Sequence, residues 1–207
     1  TNTAVGILLL DAGGVFVRGN DEYQMGYGTK IFPATNQFVT GFFYDVLGDT
    51  SYVNDLLIDS AGGQYTDLVF TNTWASSSLG SSVIIQNTSG AIGNAGNVSF
   101  VNHKTVLSST PPTIGFDIEA GTVSISDSAI GSKSAAPGTT AINIGPLAQN
   151  TSITGLRPFS MVAPSGGSGS VGVGISLSAG VVSQIQNSSF VGATIPVSYT
   201  PTLAGTD

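Results

Sequence analysis

The sequence contains no cysteine, few charged residues and no long apolar run. Without cysteine the chain can form neither disulfides nor a thiolate metal site. Five cationic residues against twelve acidic ones give a net charge of −7, which excludes the basic surface needed to bind a nucleic-acid backbone. The longest purely apolar run, Ile7–Leu10, is far shorter than the roughly 18 residues of a membrane-spanning helix. The sequence therefore predicts neither nucleic-acid binding nor membrane insertion.

Strong helix formers are also scarce, because the chain has only two Glu, three Lys and two Arg. Glycine is common, with 28 residues, and Val, Ile, Thr and Phe, which fit pleated strands, are plentiful. This composition predicts an all-β protein whose turns are polar but uncharged.

A degenerate repeat runs along the chain. One kind of strand carries two apolar residues two positions apart, which point to the same face. It occurs as Gly6–Leu9, Asp55–Ile58, Ser82–Ile85, Gly115–Ile118, Ala141–Ile144 and Gly174–Leu177. A second strand follows each, and it ends in a residue type that tolerates the left-handed backbone of a sharp turn. These turn residues are Gly19, Asn72, Asn102, Asp127, Gly155 and Asn187. The long step from Gly19 to Asn72 fits either two rungs or one rung with an insertion.

This repeat predicts a right-handed parallel β-helix (a β-solenoid) of about six rungs over residues 1–192. An aromatic-rich insertion is expected near residues 32–54, and a non-repeating tail over 193–207. Stacked rungs would form inward columns such as Ile7, Leu56, Val83, Phe116, Ile142 and Ile175. The alternative is a β-sandwich or jelly roll, which also contains many short strands but seldom repeats the same ordered apolar and turn positions.

Several segments resemble rungs of pectate-lyase-like β-helices, in particular those of bacteriophage tailspikes and tail or head fibres. The resemblance spans about residues 4–192 and rests on Gly13–Val17, Gly115–Gly121, Gly174–Gly180 and Ile185–Phe190. It implies a homotrimeric virion appendage that contacts other virion proteins and binds cell-surface polysaccharide, which some members of the family also cleave. The alternatives are a polysaccharide-cleaving depolymerase of the same fold and a bacterial surface or secreted adhesin, because a rung pattern is specific for fold and poor for function.

The outward positions of the first strand type form a stripe that is apolar at its N-terminal end. Leu8, Leu10, Leu57 and Ile84 are therefore predicted to form the oligomer interface, since exposed apolar patches usually mark interfaces. The alternative is that a local loop covers them.

The same stripe carries the catalytic candidates, Asp59, Asp117 and Glu119. Asp59 lies two rungs before the other two carboxylates, which predicts a separation of roughly 9 to 10 Å. That approaches the spacing of an inverting glycosidase, whose acid and base leave room for a water. A lyase would need a cationic group near the sugar. The five cationic residues fall on different strand types, so they do not form the cluster that a lyase needs.

His103 follows a turn residue and is expected to be solvated.

Aromatic residues are the candidates for glycan binding, because side chains that combine an apolar ring with a polar group suit a partly solvated surface. Tyr44, Tyr52 and Trp74 are singled out, although aromatic residues also fill solenoid cores.

The sequence shows no convincing calcium-binding cluster, and it predicts neither a metal site nor a cofactor.

Overall fold

The computed structural model describes residues 4–76, 79–91, 94–107, 114–132, 136–158, 171–178, 183–190 and 193–200. These residues form strands and turns, with no helix among them. Every strand pairing is parallel, and the strands stack into three sheets. The protein is a parallel β-solenoid, as the sequence predicts, and the sandwich and jelly-roll alternatives are wrong. None of the described residues belongs to a helix long and apolar enough to cross a membrane.

Each rung contributes one strand to each sheet in turn. The first sheet contains β1 (Val5–Leu9), β4 (Tyr27–Ile31), β7 (Asn54–Asp59), β10 (Val83–Gln86), β13 (Ile114–Ile118), β16 (Ala136–Ile144), β19 (Val171–Ser178) and β21 (Ala193–Thr200). The second contains β2 (Ala12–Arg18), β5 (Phe38–Tyr44), β8 (Gln64–Thr71), β11 (Asn97–Val101), β14 (Gly121–Ser126), β17 (Ala148–Thr154) and β20 (Ser183–Gln186). The third contains β3 (Asp21–Tyr23), β6 (Leu47–Asp49), β9 (Trp74–Ser76), β12 (Lys104–Leu107), β15 (Ala129–Ser132) and β18 (Arg157–Pro158). Within the described residues, the chain thus passes through all three sheets six times.

A column of left-handed residues turns the chain from the second sheet into the third. All six turn residues expected from the sequence have positive φ, and Asp45 joins them with φ of 54°. Except at Asn187, the backbone N–H of each turn residue bonds to a carbonyl of the next rung, as in Asn72 to Val101 at 3.0 Å and Asn102 to Ser126 at 3.0 Å. We call Gly19, Asp45, Asn72, Asn102, Asp127, Gly155 and Asn187 the turn column.

The expected insertion near residues 32–54 is wrong. This stretch forms β5, β6 and their turns, so the step from Gly19 to Asn72 contains two rungs. The extra rung is inconspicuous in the sequence because β4 places Thr29, rather than an apolar residue, in the inward column between Ile7 and Leu56.

The core lies inside the stack and continues from rung to rung. The inward column Leu56, Val83, Phe116, Ile142 and Ile175 is in register as predicted. Opposite it, Phe43 stacks on Phe70 with ring centroids 4.5 Å apart, and Phe70 stacks on Phe100 at 4.9 Å. Side chains at equivalent positions of successive rungs therefore stack and bury apolar area that no single rung could bury alone.

The C-terminal segment continues the stack. β21 pairs in parallel with β19, so residues 193–200 extend the first sheet instead of forming a non-repeating tail. Pro196 is tolerated because it lies on an edge strand of the described part of the chain. Residues 201–207 of the expected tail lie outside the described residues.

His103 is buried inside the stack, so the expectation of a solvated side chain is wrong. Its Nδ1 is 2.6 Å from Thr73 Oγ1, and its Nε2 is 2.9 Å from Thr105 Oγ1. Burial lowers the pKa of His103 to about 3. The side chain points inward because the residue between each left-handed turn and the following strand of the third sheet faces the core, as the buried Val46 and Leu156 do at the equivalent position.

Glu22 is a second titratable group inside the stack, and it is only 2% exposed. Thr29 Oγ1 donates to both carboxylate oxygens, at 3.0 and 3.1 Å, and Asn20 Nδ2 donates to Oε1 at 2.8 Å. Burial raises its pKa to about 7, assisted by the charge of Asp21 and opposed by these hydrogen bonds. Gly28 leaves the space for it, since a Cβ there would lie 2.6 Å from Glu22 Oε2.

We expect Asn102→Ala to lower the free energy of unfolding by about 1 to 2 kcal/mol, because alanine is strained in the left-handed region. Asn102→Gly should lower the free energy of unfolding by less, since glycine adopts this backbone freely. Ser99→Ala, an outward substitution on β11, is the matched control. Urea unfolding measures all three, and equal losses for Ala and Gly would contradict the role of the turn column.

We expect Glu22→Gln to change how stability depends on pH. Because folding raises the pKa of Glu22, its carboxyl stabilises the fold most below about pH 4.5, and up to about 3 kcal/mol is lost as pH rises to about 7. His103, with its lowered pKa, acts in the opposite direction below about pH 6.5. The difference in unfolding free energy between wild type and Glu22→Gln therefore isolates the effect, and a difference that is constant from pH 4.5 to 7.5 would refute it.

Candidate functional site

Two of the predicted catalytic carboxylates form a cluster on the outer face of the first sheet. Asp117 on β13 pairs in register with Asn143 on β16, and Glu119 follows β13 directly. Asn143 Nδ2 donates to Asp117 Oδ1 at 2.9 Å and to Glu119 Oε1 at 3.1 Å. Ser81 Oγ donates to Asp117 Oδ2 at 3.4 Å. The two carboxyl groups are thus held together by one amide.

The environment of Glu119 suits a proton donor at neutral pH. Partial burial raises its pKa to about 7, and the charge of Asp117 and a hydrogen bond to it act in the same direction. The carboxyl group lies over Gly145, where a Cβ would collide with it. Glu119 can therefore stay protonated near neutral pH.

Asp59 has a different environment and is only 2% exposed. Its Oδ2 accepts a hydrogen bond from Gln86 Nε2 at 2.7 Å, and its Oδ1 accepts one from the Thr88 N–H at 3.0 Å. The Thr88 hydroxyl donates to both oxygens at 2.9 Å. These bonds fix the turn that follows β10.

The structure does not bring Asp59 and Glu119 together as a catalytic pair. They lie two rungs apart, as the sequence predicts, but β10 runs between their strands and places Gln86 beside Asp59. The Asp59 carboxylate is thus bonded by an amide of the intervening rung. Asp59 is a structural carboxylate.

An exposed group of aromatic side chains lies on the outer face of the second sheet. Phe16 pairs in register with Phe42, and Arg18 pairs with Tyr44. The rings of Phe16 and Tyr44 are 5.3 Å apart, and Phe16 is 65% exposed. We call Phe16, Phe42 and Tyr44 the aromatic ledge.

Polar side chains of the turn column adjoin this ledge. Arg18 Nε lies 3.7 Å from Asp45 Oδ2, and Asn72 Nδ2 donates to Asp45 Oδ1 at 3.4 Å. Asn102 Nδ2 in turn donates to Asn72 Oδ1 at 2.8 Å. We call this row of hydrogen-bonded side chains, Asp45, Asn72 and Asn102, the amide ladder. A cavity of about 370 Å³ is lined by ledge and ladder together: Phe16, Arg18, Tyr44, Asp45 and Asn72. Two aromatic rings, one amide and one ion pair therefore face the same open space.

The three aromatic residues singled out in the sequence do not form one site. Tyr44 belongs to the ledge, whereas Trp74 lies half-buried on the third sheet with Lys104 Nζ 5.9 Å from its ring. Tyr52 is exposed in the turn between β6 and β7. Phe16 and Phe42 were not singled out, because the ledge is visible in the sequence only once β2 and β5 are aligned as neighbouring rungs.

The predicted oligomer interface is not one exposed patch. Leu8 and Leu10 are exposed, but Leu57 is only 7% exposed and Ile84 is half-buried. Leu57 lies between Lys30 and Ile84 in its column, so a cation interrupts the apolar stripe between Leu8 and Leu57. Leu57 is therefore unsuitable as an interface residue.

No known protein family, curated protein or solved structure matches this chain. Among the described residues, no group of three or more His, Cys, Asp or Glu side chains could hold a metal ion. The function therefore has to be inferred from the fold and from the chemistry of its surface.

Proposed function

We propose that this protein is a domain of a virion appendage of the tailspike or fibre type, which binds polysaccharide on the host cell through the aromatic ledge. The observation that carries the proposal is the ledge itself, where exposed rings lie beside the Arg18–Asp45 pair and the amide ladder. Aromatic rings offer apolar faces to the C–H faces of sugars, and amides and ions bond their hydroxyl groups. The resemblance of the rungs to those of phage appendages supports the same function.

Rigidity supports this function as well. The ledge residues lie on strands rather than on loops, and each strand is hydrogen-bonded to the neighbouring rung. A preformed surface loses little conformational entropy when it binds a ligand. The homotrimeric state is a prediction that accompanies the proposal, with the exposed Leu8 and Leu10 available for contacts between subunits.

The ledge is tested with purified capsular polysaccharides and lipopolysaccharides from a panel of bacteria, measured by biolayer interferometry. Phe16→Ala and Tyr44→Ala should each weaken binding about 3- to 10-fold while the unfolding temperature is unchanged, because these rings lie on the surface. Ser124→Ala and Ser152→Ala, at outward positions further along the same sheet, are the matched controls. Equal losses in ledge and control variants, or no binding by the wild-type protein, would overturn the proposal.

Cleavage of the bound polysaccharide is a second candidate function, favoured by the raised pKa of Glu119. Glu119 would act as the general acid that protonates the glycosidic oxygen as it leaves the anomeric carbon, while a solvent water attacks that carbon and releases its proton to solvent. The charge of Asp117 raises the pKa of Glu119 and so favours its protonated form. Asp59 takes no part in this reaction, because its oxygens hold the turn after β10.

We expect Glu119→Gln to lower the release of reducing ends at least about 100-fold, because the amide cannot donate a proton to the leaving group. Wild-type activity should fall as pH rises above about 7, where Glu119 loses its proton. Asp59→Asn should instead destabilise the fold by about 1 to 3 kcal/mol, since a buried acceptor is lost. Undiminished cleavage by Glu119→Gln would dismiss the enzymatic role.

A further inference from the structure

A small cavity lies inside the stack, between the third sheet and the first sheet, in the N-terminal rungs. Its lining contains five polar side chains, each at most 6% exposed: Glu22, Thr29, Asp55, Thr73 and His103. We call this space the interior cavity. It is unusual for a solenoid core, because most of the core residues around it are apolar.

The interior cavity exists because the third sheet places two small residues in succession in its inward column. This column pairs in register along Glu22, Gly48, Ala75, Thr105 and Ile130. Gly48 and Ala75 leave space between the long side chain on one side and the branched side chains on the other. Gly48 cannot be replaced by a larger residue, since a Cβ there would lie 2.9 Å from the Cβ of Asp55. The gap is therefore built into the register of the strands.

The size of the interior cavity fits one water molecule. The volume open to the centres of water molecules is about 20 Å³. One ordered water needs roughly 10 to 15 Å³ by the same measure. The lining residues are buried, apart from the half-buried Trp74 on β9. A sugar or a nucleotide is therefore too large for this space.

The polar lining can hold a water molecule through hydrogen bonds. Glu22 Oε2 accepts a bond from Thr29 at 3.1 Å, and a carboxylate oxygen can accept a second one. The Thr73 hydroxyl lies 2.6 Å from His103 Nδ1, and a hydroxyl has one donor and two acceptor sites. A buried water typically makes about three hydrogen bonds, and an empty cavity beside a carboxyl group would leave that group poorly solvated.

His103 forms a wall of the cavity rather than a ligand of the water. Its Nδ1 contacts Thr73, and its Nε2 lies 2.9 Å from Thr105 Oγ1. Both ring nitrogens are therefore engaged by hydroxyl groups.

We propose that the interior cavity binds a single water molecule, which is hydrogen-bonded to the Glu22 carboxyl group and the Thr73 hydroxyl group. The water joins side chains of the first and third rungs across the gap that Gly48 and Ala75 leave. Because water both donates and accepts hydrogen bonds, it serves Glu22 in either protonation state. The site is independent of the aromatic ledge and of the function proposed for it.

The test counts long-lived internal waters by oxygen-17 magnetic relaxation dispersion. The wild-type protein should hold at least one, and Ala75→Val should hold one fewer, because two added methyl groups fill the cavity. Ala75→Gly widens the cavity and should keep the water. Ala129→Val is the matched control, since Ala129 pairs with Lys104 in the outward column of the same sheet, and it should leave the count unchanged.

The pKa of Glu22 gives an independent readout. Burial raises this pKa to about 7, and the other titratable groups around the carboxyl are Asp21, Asp55 and His103. Expelling the water removes a hydrogen-bond donor from the carboxylate, so Ala75→Val should raise the pKa of Glu22 further, whereas Ala129→Val should not. Carbon-13 NMR titration of the side-chain carboxyl measures the change.

The proposal is overturned if the wild type holds no long-lived water, or if a folded Ala75→Val holds as many as the wild type. If Ala75→Val does not fold, a crystal structure of the wild type decides, and a cavity without ordered water between Glu22 and Thr73 overturns the proposal. Replacing sodium chloride by tetramethylammonium chloride should change nothing. Loss of the dispersion signal in that salt would identify the occupant as a cation and would also overturn the proposal.

Discussion

The left-handed turn between the second and third sheets is the constraint on which the rest of the structure depends. At this corner a single residue must turn the chain from the second sheet into the third, and its N–H bonds to a carbonyl of the next rung wherever the second sheet continues. Gly, Asn and Asp adopt that backbone with little strain, so they occupy every position of the turn column. Because the turn is the same in each rung, the strands on both sides of it stay in register, and both inward and outward residues align along the axis.

This register gives the surface its functional character. Neighbouring rungs bring Phe16 beside Phe42 and Arg18 beside Tyr44, although about 26 residues separate each pair in the chain. The same alignment places Asn143 where it bonds both Asp117 and Glu119. Surface sites in a solenoid are thus assembled from one or two residues per rung, and strand pairing fixes their spacing. An extended ligand such as a polysaccharide matches such a surface because it too repeats along one direction.

The fold could be predicted from the sequence because its determinants are local. Asn72, Asn102 and Asp127 are conspicuous as turn residues, and apolar residues two positions apart mark the strands before them. The rung built from β4, β5 and β6 was ambiguous because Thr29 replaces an apolar residue in the inward column. This rung can be identified only once the register of the neighbouring strands is known.

The sites were predicted less completely, because their properties depend on contacts between rungs. Glu119 and Asp117 do lie together, but the role of Asp59 is decided by Gln86 and Thr88 in the next rung. Similarly, His103 lies at an inward position, and its hydrogen-bond partner Thr73 comes from the preceding rung. Tyr44 belongs to the aromatic ledge because parallel pairing brings β5 beside β2. No local pattern in the sequence carries that information.

The most direct test of this account is the hydrogen exchange of individual backbone amides, followed by NMR. The amides of Asp45, Asn72, Asn102 and Asp127 belong to turn residues, yet each is bonded to the next rung. The account predicts that they exchange slowly, with protection equal to that of the neighbouring strands β5, β8, β11 and β14. Exchange of these four amides at the rate of ordinary exposed turns would contradict the stacked solenoid and the surfaces that depend on its register.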